Sequence, residues 1–184
     1  MRKLLLVTGD LATGKSTFSD FLSSKYEAVV LHKDTIKEVL GDTVGFFSRE
    51  ENLKLSNATM ALMRFLFSET GKLGKDLILE ANFHSADLEK LHQIAGSYGY
   101  DVLTLVLRGD PGILHQRYLR RITHENRHPV HLSTTFHIYD DFVAYLDRSR
   151  KETIPGEAIN IDASDFSYRQ DASLLTAIDR FFLR

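Results

Sequence analysis

The sequence predicts a three-layer α/β domain built on a five-stranded parallel sheet. Two observations carry that expectation. Short apolar runs alternate with longer amphipathic stretches along the chain, and the first apolar run leads at once into a glycine-bearing turn and a helix. With 184 residues and no internal repeat, low-complexity tract or linker, a single domain over 1–184 is expected.

The elements follow in order. Leu4–Val7 reads as a buried strand, followed by the turn and a helix from about Lys15 to Lys25. Ala28–Leu31 is a second strand, and Asp34 stands at or near the N-cap of a short helix after it. A long helix over about Ser48–Thr70 places Leu53, Leu55, Met60, Met63, Leu66 and Phe67 on faces that pack on both sides. Gly71–Gly74 marks a turn, and Leu77–Leu79 is the third strand. A helix around Asp87–Ser97, a strand over Asp101–Leu107 and a helix opened by Asp110-Pro111 come next. The polar stretch His124–His131, which contains Pro129, reads as a mobile loop. A helix through Phe142 and Leu146, a last strand near Ala158–Ile161 and a helix from Ala172 complete the chain.

Composition excludes several classes. A formal net charge of -2 gives no basic field for nucleic acid, and the absence of cysteine removes disulfides and thiolate chemistry and fits a cytoplasmic location. The apolar start Leu4–Val7 breaks at Thr8-Gly9-Asp10, too short for the ~7–15-residue core of a signal peptide. No later run approaches the ~20 apolar residues of a membrane span.

Gly9-Asp10-Leu11-Ala12-Thr13-Gly14-Lys15-Ser16 matches G-x-x-x-x-G-K-[ST] in full, between a strand and a helix as its mechanism demands. The glycines permit a tight turn whose N–H groups converge on phosphate oxygens, with the positive end of the helix behind them. Lys15 is expected to reach the β- and γ-phosphates, Ser16 to ligate Mg²⁺ and Thr17 to bond the α-phosphate. ATP and Mg²⁺ are therefore the expected cofactors of a P-loop NTPase fold.

With this loop and three further segments, the chain over roughly 3–165 resembles the small P-loop kinases. The nearest group holds chloramphenicol phosphotransferase, zeta toxins and similar predicted kinases, with nucleoside monophosphate and shikimate kinases more distant. The segments are Asp34-Thr35-Ile36-Lys37-Glu38, Leu79-Glu80-Ala81-Asn82-Phe83, and Leu107–Pro111 leading into Arg117-Tyr118-Leu119-Arg120-Arg121 with Arg127-His128-Pro129 beyond. The resemblance implies transfer of a γ-phosphate to a hydroxyl of a small-molecule acceptor. Asp34 then faces that hydroxyl as hydrogen-bond acceptor and general base, a role that leaves room for helix capping too. Glu80 holds Mg²⁺ directly or through water, contacts the acceptor, or forms a structural ion pair; Lys37, Asn82 and His84 lie on the acceptor side. A lid over about 117–133 carries Arg117 and Arg121 over the phosphates and Arg117 onto the nucleotide, with Arg127 next and Arg120 equally suited to the surface. Lys33 and Lys37 depart from the group's pattern at this end, so the acceptor's identity does not carry over. Ile161, Asp162 and Ala163 are the nearest candidates for the adenine side.

Other acceptors that fit are a nucleoside monophosphate or a polynucleotide 5′ end, and a different class is a nucleotide-dependent switch. A cavity lined by Asp34, the Phe46–Asn52 region and Asn82 distinguishes the kinase from the switch. His124, His128, His131 and His137 have spacings that suggest a metal cluster, but Pro129 argues against the regular helix that would assemble it. Asp42-Thr43-Val44-Gly45 fits a GTPase D-x-x-G pattern, yet no guanine-reading motif accompanies it. Phe46 and Phe47 suit a hydrophobic staple or core position before the long helix.

Overall fold

The computed structural model describes residues 2–124, 127–132 and 135–183, with the His124 side chain left out. These residues form β1 (Arg2–Gly9), α1 (Lys15–Tyr26), β2 (Val29–His32), α2 (Lys33–Val44), α3 (Arg49–Leu73), β3 (Leu77–Glu80) and α4 (Ser85–Tyr98). The chain continues through β4 (Tyr100–Arg108), α5 (Pro111–His124), a 3-10 turn Pro129–His131, α6 (Tyr139–Ser149), β5 (Glu157–Asp162), a 3-10 turn Ser167–Gln170 and α7 (Ala172–Leu183). All strand pairs are parallel, in the order β2-β3-β1-β4-β5. The expected three-layer α/β fold with its five-stranded parallel sheet is the fold observed.

Strand side chains alternate between two cores. Leu5 and Val7 pack with Phe18 and Leu22 of α1 and Ile178 of α7 on one face of the sheet. Leu4 and Leu6 pack with Met63 and Phe67 of α3 and Leu88 and Leu91 of α4 on the other. Both faces of β1 are therefore covered, which is why Leu4–Val7 reads as an unbroken apolar run. A smaller cluster of Leu114, Tyr118, Phe142 and Leu146 joins α5 to α6. Since every strand runs the same way, Gly9, His32, Glu80, Arg108 and Asp162 all end at one edge of the sheet. Among the described residues no helix is long and apolar enough to cross a membrane.

Helix ends correct several boundaries. Ser48 caps α3 by accepting from Glu51 N at 3.1 Å, and Glu51 reaches back to Phe47 N at 2.6 Å, so the helix starts one residue later than expected. At its other end Gly71 is still helical and only Gly74, with φ 67°, stops it. Asp34 is not a cap: the N-cap of α2 is His32, and Asp34 is the helix's second residue. Phe47 is 98% exposed, so it is neither core nor staple. Asp42–Val44 close α2 and Gly45 ends it, which leaves the D-x-x-G pattern a helix terminus. The mobile loop expected over 124–131 is also partly corrected. Residues 125–126 lie outside the described residues, but Pro129–His131 is a turn with Val130 1% exposed against α2 and α3.

Gly41 makes that docking possible. A Cβ added there would lie 2.4 Å from Val130 Cγ1. Gly41→Ala should therefore lose about 1–2 kcal/mol from overpacking, despite the roughly 1 kcal/mol that alanine gains in a helix. Val130→Ala in the same chain should recover part of the loss; a denaturant midpoint that rises in Gly41→Ala alone would contradict this packing.

Candidate functional site

The glycine loop between β1 and α1 is held from behind by contacts the sequence does not reveal. Gly9 has φ 121°, and an added Cβ would meet Leu107 O at 2.0 Å, so only glycine fits against β4. Asp10 donates its amide to Leu107 O at 2.8 Å. Its carboxylate, 1% exposed, accepts from Arg150 Nη2 at 2.6 Å and from Gly109 N at 3.2 Å. Asp10, expected among the phosphate-binding residues, thus spends both its amide and its side chain on anchoring, and the cleft lining begins at Leu11. Ala12 lies at φ 61°, a left-handed conformation that costs a non-glycine residue about 1 kcal/mol and survives only in a loop fixed at both ends. The second clamp is Tyr168, whose hydroxyl donates to Thr13 O at 2.9 Å.

In front of the loop is a cleft of about 170 Å³ lined by residues from Leu11 to Thr17 together with Lys33, Asp34, Glu80, Asn82, Arg121 and Arg127. Lys15 Nζ donates to Asp10 O at 2.5 Å and to Gly9 O at 3.3 Å. Burial pushes the Lys15 ammonium below its ordinary pKa, while Glu80, Asp34 and Asp10 pull the other way. Ser16 Oγ donates to Glu80 Oε2 at 3.0 Å. A hydroxyl and a carboxylate this close are hard oxygen donors of the kind that hold Mg²⁺, an ion that takes few protein ligands and keeps its waters. Among the described residues no group of three or more His, Asp or Glu side chains gathers for a metal. His128 and His131 instead pair with Asp42 and Glu38, at 2.9 and 2.7 Å.

Asp34 is half exposed, with Oδ2 4.0 Å from His131 Nδ1. Burial alone would raise its pKa. The charges of His131, Lys33, Arg127 and Lys15 outweigh that and hold the carboxyl below its ordinary value. Asp34 is therefore ionised at neutral pH and ready to accept a hydrogen bond.

Two residues the sequence reading missed hold side chains that line this cleft. His32 sits beside Glu80 because the two are register partners on adjacent parallel strands. Its Nδ1 is 3.0 Å from Glu80 Oε2 and its Nε2 is 2.8 Å from Asp20 Oδ1. The hydrogen bond to Glu80 raises the His32 pKa first, against the lowering effect of burial. Tyr145 of α6 hydrogen-bonds Asn82; burial raises its hydroxyl's pKa and Asp34 nearby adds to the shift.

Other expected site residues lie elsewhere. Lys37 is buried and donates to Val130 O at 3.3 Å, behind α2 and away from the cleft. Arg117 does not line the cleft. Its guanidinium donates to Ala163 O at 2.8 Å and Ser164 O at 2.6 Å and lies 4.1 Å from the Phe166 ring centre. Arg121, one turn further on, does reach the cleft. Ala163 is fully buried, whereas Ile161 and Asp162 line two open cavities beside β5, of about 460 and 490 Å³, and Asp162 also accepts from Ser164 N at 2.9 Å. The Phe46–Asn52 region lines neither this cleft nor the neighbouring cavity; Asn52 is 2% exposed and donates to Val130 O at 2.8 Å.

That neighbouring cavity, of about 290 Å³, shares Lys33 and Asn82 with the cleft and is walled by Ser56, Asn57, Met60 and Arg64 of α3 and His84, Asp87 and Lys90 at the start of α4. Glu152 fixes this end of α4. It accepts from Ser85 N at 2.7 Å, Ser85 Oγ at 2.5 Å and His84 Nδ1 at 2.7 Å. The Ser85 and His84 hydrogen bonds hold its carboxyl down to about 2. A carboxylate with a depressed pKa adds stability above about pH 4.5 that is lost as pH falls toward 2. With solvent screening included, Glu152→Gln should cost about 1–2 kcal/mol at neutral pH, and the gap from the parent should narrow below pH 4. A gap constant down to pH 2 would contradict this.

The chain shares its fold with several small-molecule kinases. A candidate kinase from Chloroflexus aurantiacus J-10-fl is 25% identical, with 100% of this chain and 99% of that one covered and a TM-score of 0.82. A sugar kinase from Janibacter sp. HTCC2649 is 12% identical, covering 97% and 95% at a TM-score of 0.62. The tunicamycin resistance protein of Deinococcus radiodurans is 15% identical, covering 97% and 96% at 0.62. Comparison with curated proteins by sequence gives no match. A family model described as an AAA domain matches residues 4–138, from β1 to the segment before α6, and the chain belongs to that family.

Proposed function

We propose that the protein is an ATP- and Mg²⁺-dependent phosphotransferase that moves the γ-phosphate of ATP to a hydroxyl of a small-molecule acceptor. One observation carries this reading: the cleft in front of the glycine loop brings Lys15, Ser16 and Glu80 together with Asp34, Arg121 and Arg127, and opens through Lys33 and Asn82 into a second cavity. A nucleotide switch needs the first part of that arrangement but not Asp34 beside an empty acceptor-sized space. The shared fold with small-molecule kinases supports the same conclusion.

In this mechanism the N–H groups from Leu11 to Ser16 and the α1 N-terminus hold the phosphates, and Thr17 meets the α-phosphate. Lys15 exchanges the Gly9 and Asp10 carbonyls for β- and γ-phosphate oxygens. Ser16 and Glu80 would hold Mg²⁺, directly or through water, and the ion would supply positive charge against the phosphates. Asp34 accepts the acceptor's O–H hydrogen bond and takes its proton as the oxygen–phosphorus bond forms and ADP departs with the bridging oxygen. Arg121 and Arg127, on a lid over about 117–133, stabilise the charge on the moving phosphoryl group. Arg117, held against Ala163, Ser164 and Phe166, serves the nucleotide's base side and not the γ-phosphate.

The test is ADP release with Mg-ATP and pooled hydroxyl compounds. At least one pool should raise release well above the basal rate. Tight ATP binding with no stimulation by any pool would favour the switch.

A further inference from the structure

We propose that the acceptor is an anion: a small hydroxyl compound whose carboxylate or phosphate group is held by Lys33, Arg64 and Lys90 in the cavity beside the phosphate cleft. This rests on the phosphotransferase reading and names the class of substrate that reading leaves open.

Three cationic side chains from three different helices converge on that cavity: Lys33 from α2, Arg64 from α3 and Lys90 from α4. Its wall carries one carboxylate, Asp87, whose Oδ1 is already taken by Arg64 Nη1 at 3.1 Å. Among the described residues Lys33 and Lys90 have no carboxylate within ion-pair distance. His84 carries no negative charge of its own, and Glu152, which hydrogen-bonds its Nδ1 at 2.7 Å, is not among the residues that line the cavity. The cavity therefore holds more positive than negative charge, and like charges gathered without a counter-ion repel unless an anion lies between them.

The rest of the wall fits a small polar molecule. Ser56, Asn57 and Asn82 offer hydrogen bonds, and Met60 supplies the only apolar side chain among the lining residues. A volume of about 290 Å³ is at the small end of ligand pockets, suited to a sugar acid or sugar phosphate and too small for a polymer. Lys33 lies next to Asp34 in the chain and borders both spaces. A molecule anchored by its anionic end on Arg64 and Lys90 would point its far end past Asn82 toward Asp34, where the hydroxyl must be.

Calorimetric titration of the intact protein saturated with Mg²⁺ and a non-hydrolysable ATP analogue tests this, because the analogue blocks the phosphate loop from the probe. The probes are matched pairs: glucuronate and glucose 6-phosphate against glucose, glycerate against glycerol, and cytidine monophosphate against cytidine. At least one anion should bind about tenfold or more tightly than its neutral parent, with the carboxylate and phosphate arms showing which group the site takes. Lys90→Gln and Arg64→Gln should each weaken that anion about tenfold while leaving analogue affinity unchanged. Neutral parents binding as tightly as every anion, no anion binding, or variants that keep full anion affinity would overturn the proposal. Phosphorylation of a neutral acceptor would overturn it while leaving the phosphotransferase reading intact. Anion binding without phosphoryl transfer would do the reverse.

Discussion

Lys15→Met is expected to lower kcat/KM for phosphoryl transfer by about 10²–10³-fold or more, the usual consequence of removing a positioned charge from developing phosphate charge. The side chain is 7% exposed and its ammonium rests on two loop carbonyls, in a pocket where burial already disfavours its charge. Phosphate oxygens are stronger partners than those carbonyls, so the ammonium's best partner arrives only with the nucleotide. Methionine keeps most of the volume and supplies no charge, so the fold should hold while nucleotide affinity and turnover both fall. Steady-state kinetics with a melting curve separates the two; near-parental turnover in a folded Lys15→Met protein would remove the loop from the mechanism.

Asp34→Asn should behave differently: nucleotide affinity unchanged, and kcat down by about 10²–10⁴-fold. An amide preserves shape and can still accept a hydrogen bond, but it cannot take a proton or carry charge. The surroundings of Asp34 also set a pH dependence. Burial raises its pKa, and His131, Lys33, Arg127 and Lys15 together lower it further than burial raises it. The ionised form therefore persists below the ordinary carboxylate range, and the acid limb of kcat/KM should lie below where an ordinary aspartate would place it. Arg127→Gln removes one of the stabilising charges, so its acid limb should move to higher pH. A limb that stays in place in Arg127→Gln, or that persists in Asp34→Asn, would mean another group titrates.

The sequence made the sheet legible because its central strands β1, β3 and β4 are covered on both faces and stand out as apolar runs between amphipathic stretches. The glycine loop was legible too, since its chemistry depends on residues adjacent in the chain. What remained hidden depends on contacts between distant segments. Asp10 reads as a phosphate-loop position, yet Arg150, 140 residues away, claims its carboxylate. His32 falls one residue past the expected end of its strand, and only parallel pairing with β3 reveals that it faces Glu80. Tyr145 lies among the core positions Phe142 and Leu146 of α6, and nothing local distinguishes its hydroxyl. Arg117 and Arg121 share a helical face in sequence, but the loop after β5 binds the first and leaves only the second at the cleft. The Pro129–His131 turn was hidden for the same reason: Val130 is one apolar residue in a polar stretch, and its pocket is made by Gly41 and α3.

The most direct test of the central claim is the fate of the γ-phosphate itself. With γ-labelled ATP, Mg²⁺ and an acceptor that stimulates ADP release, the label should appear on an organic product in step with ADP in the parent protein. In Asp34→Asn that product should be lost while labelled ATP still binds. Label recovered only as inorganic phosphate, at the same rate with and without Asp34, would contradict the account and make the protein a nucleotide hydrolase.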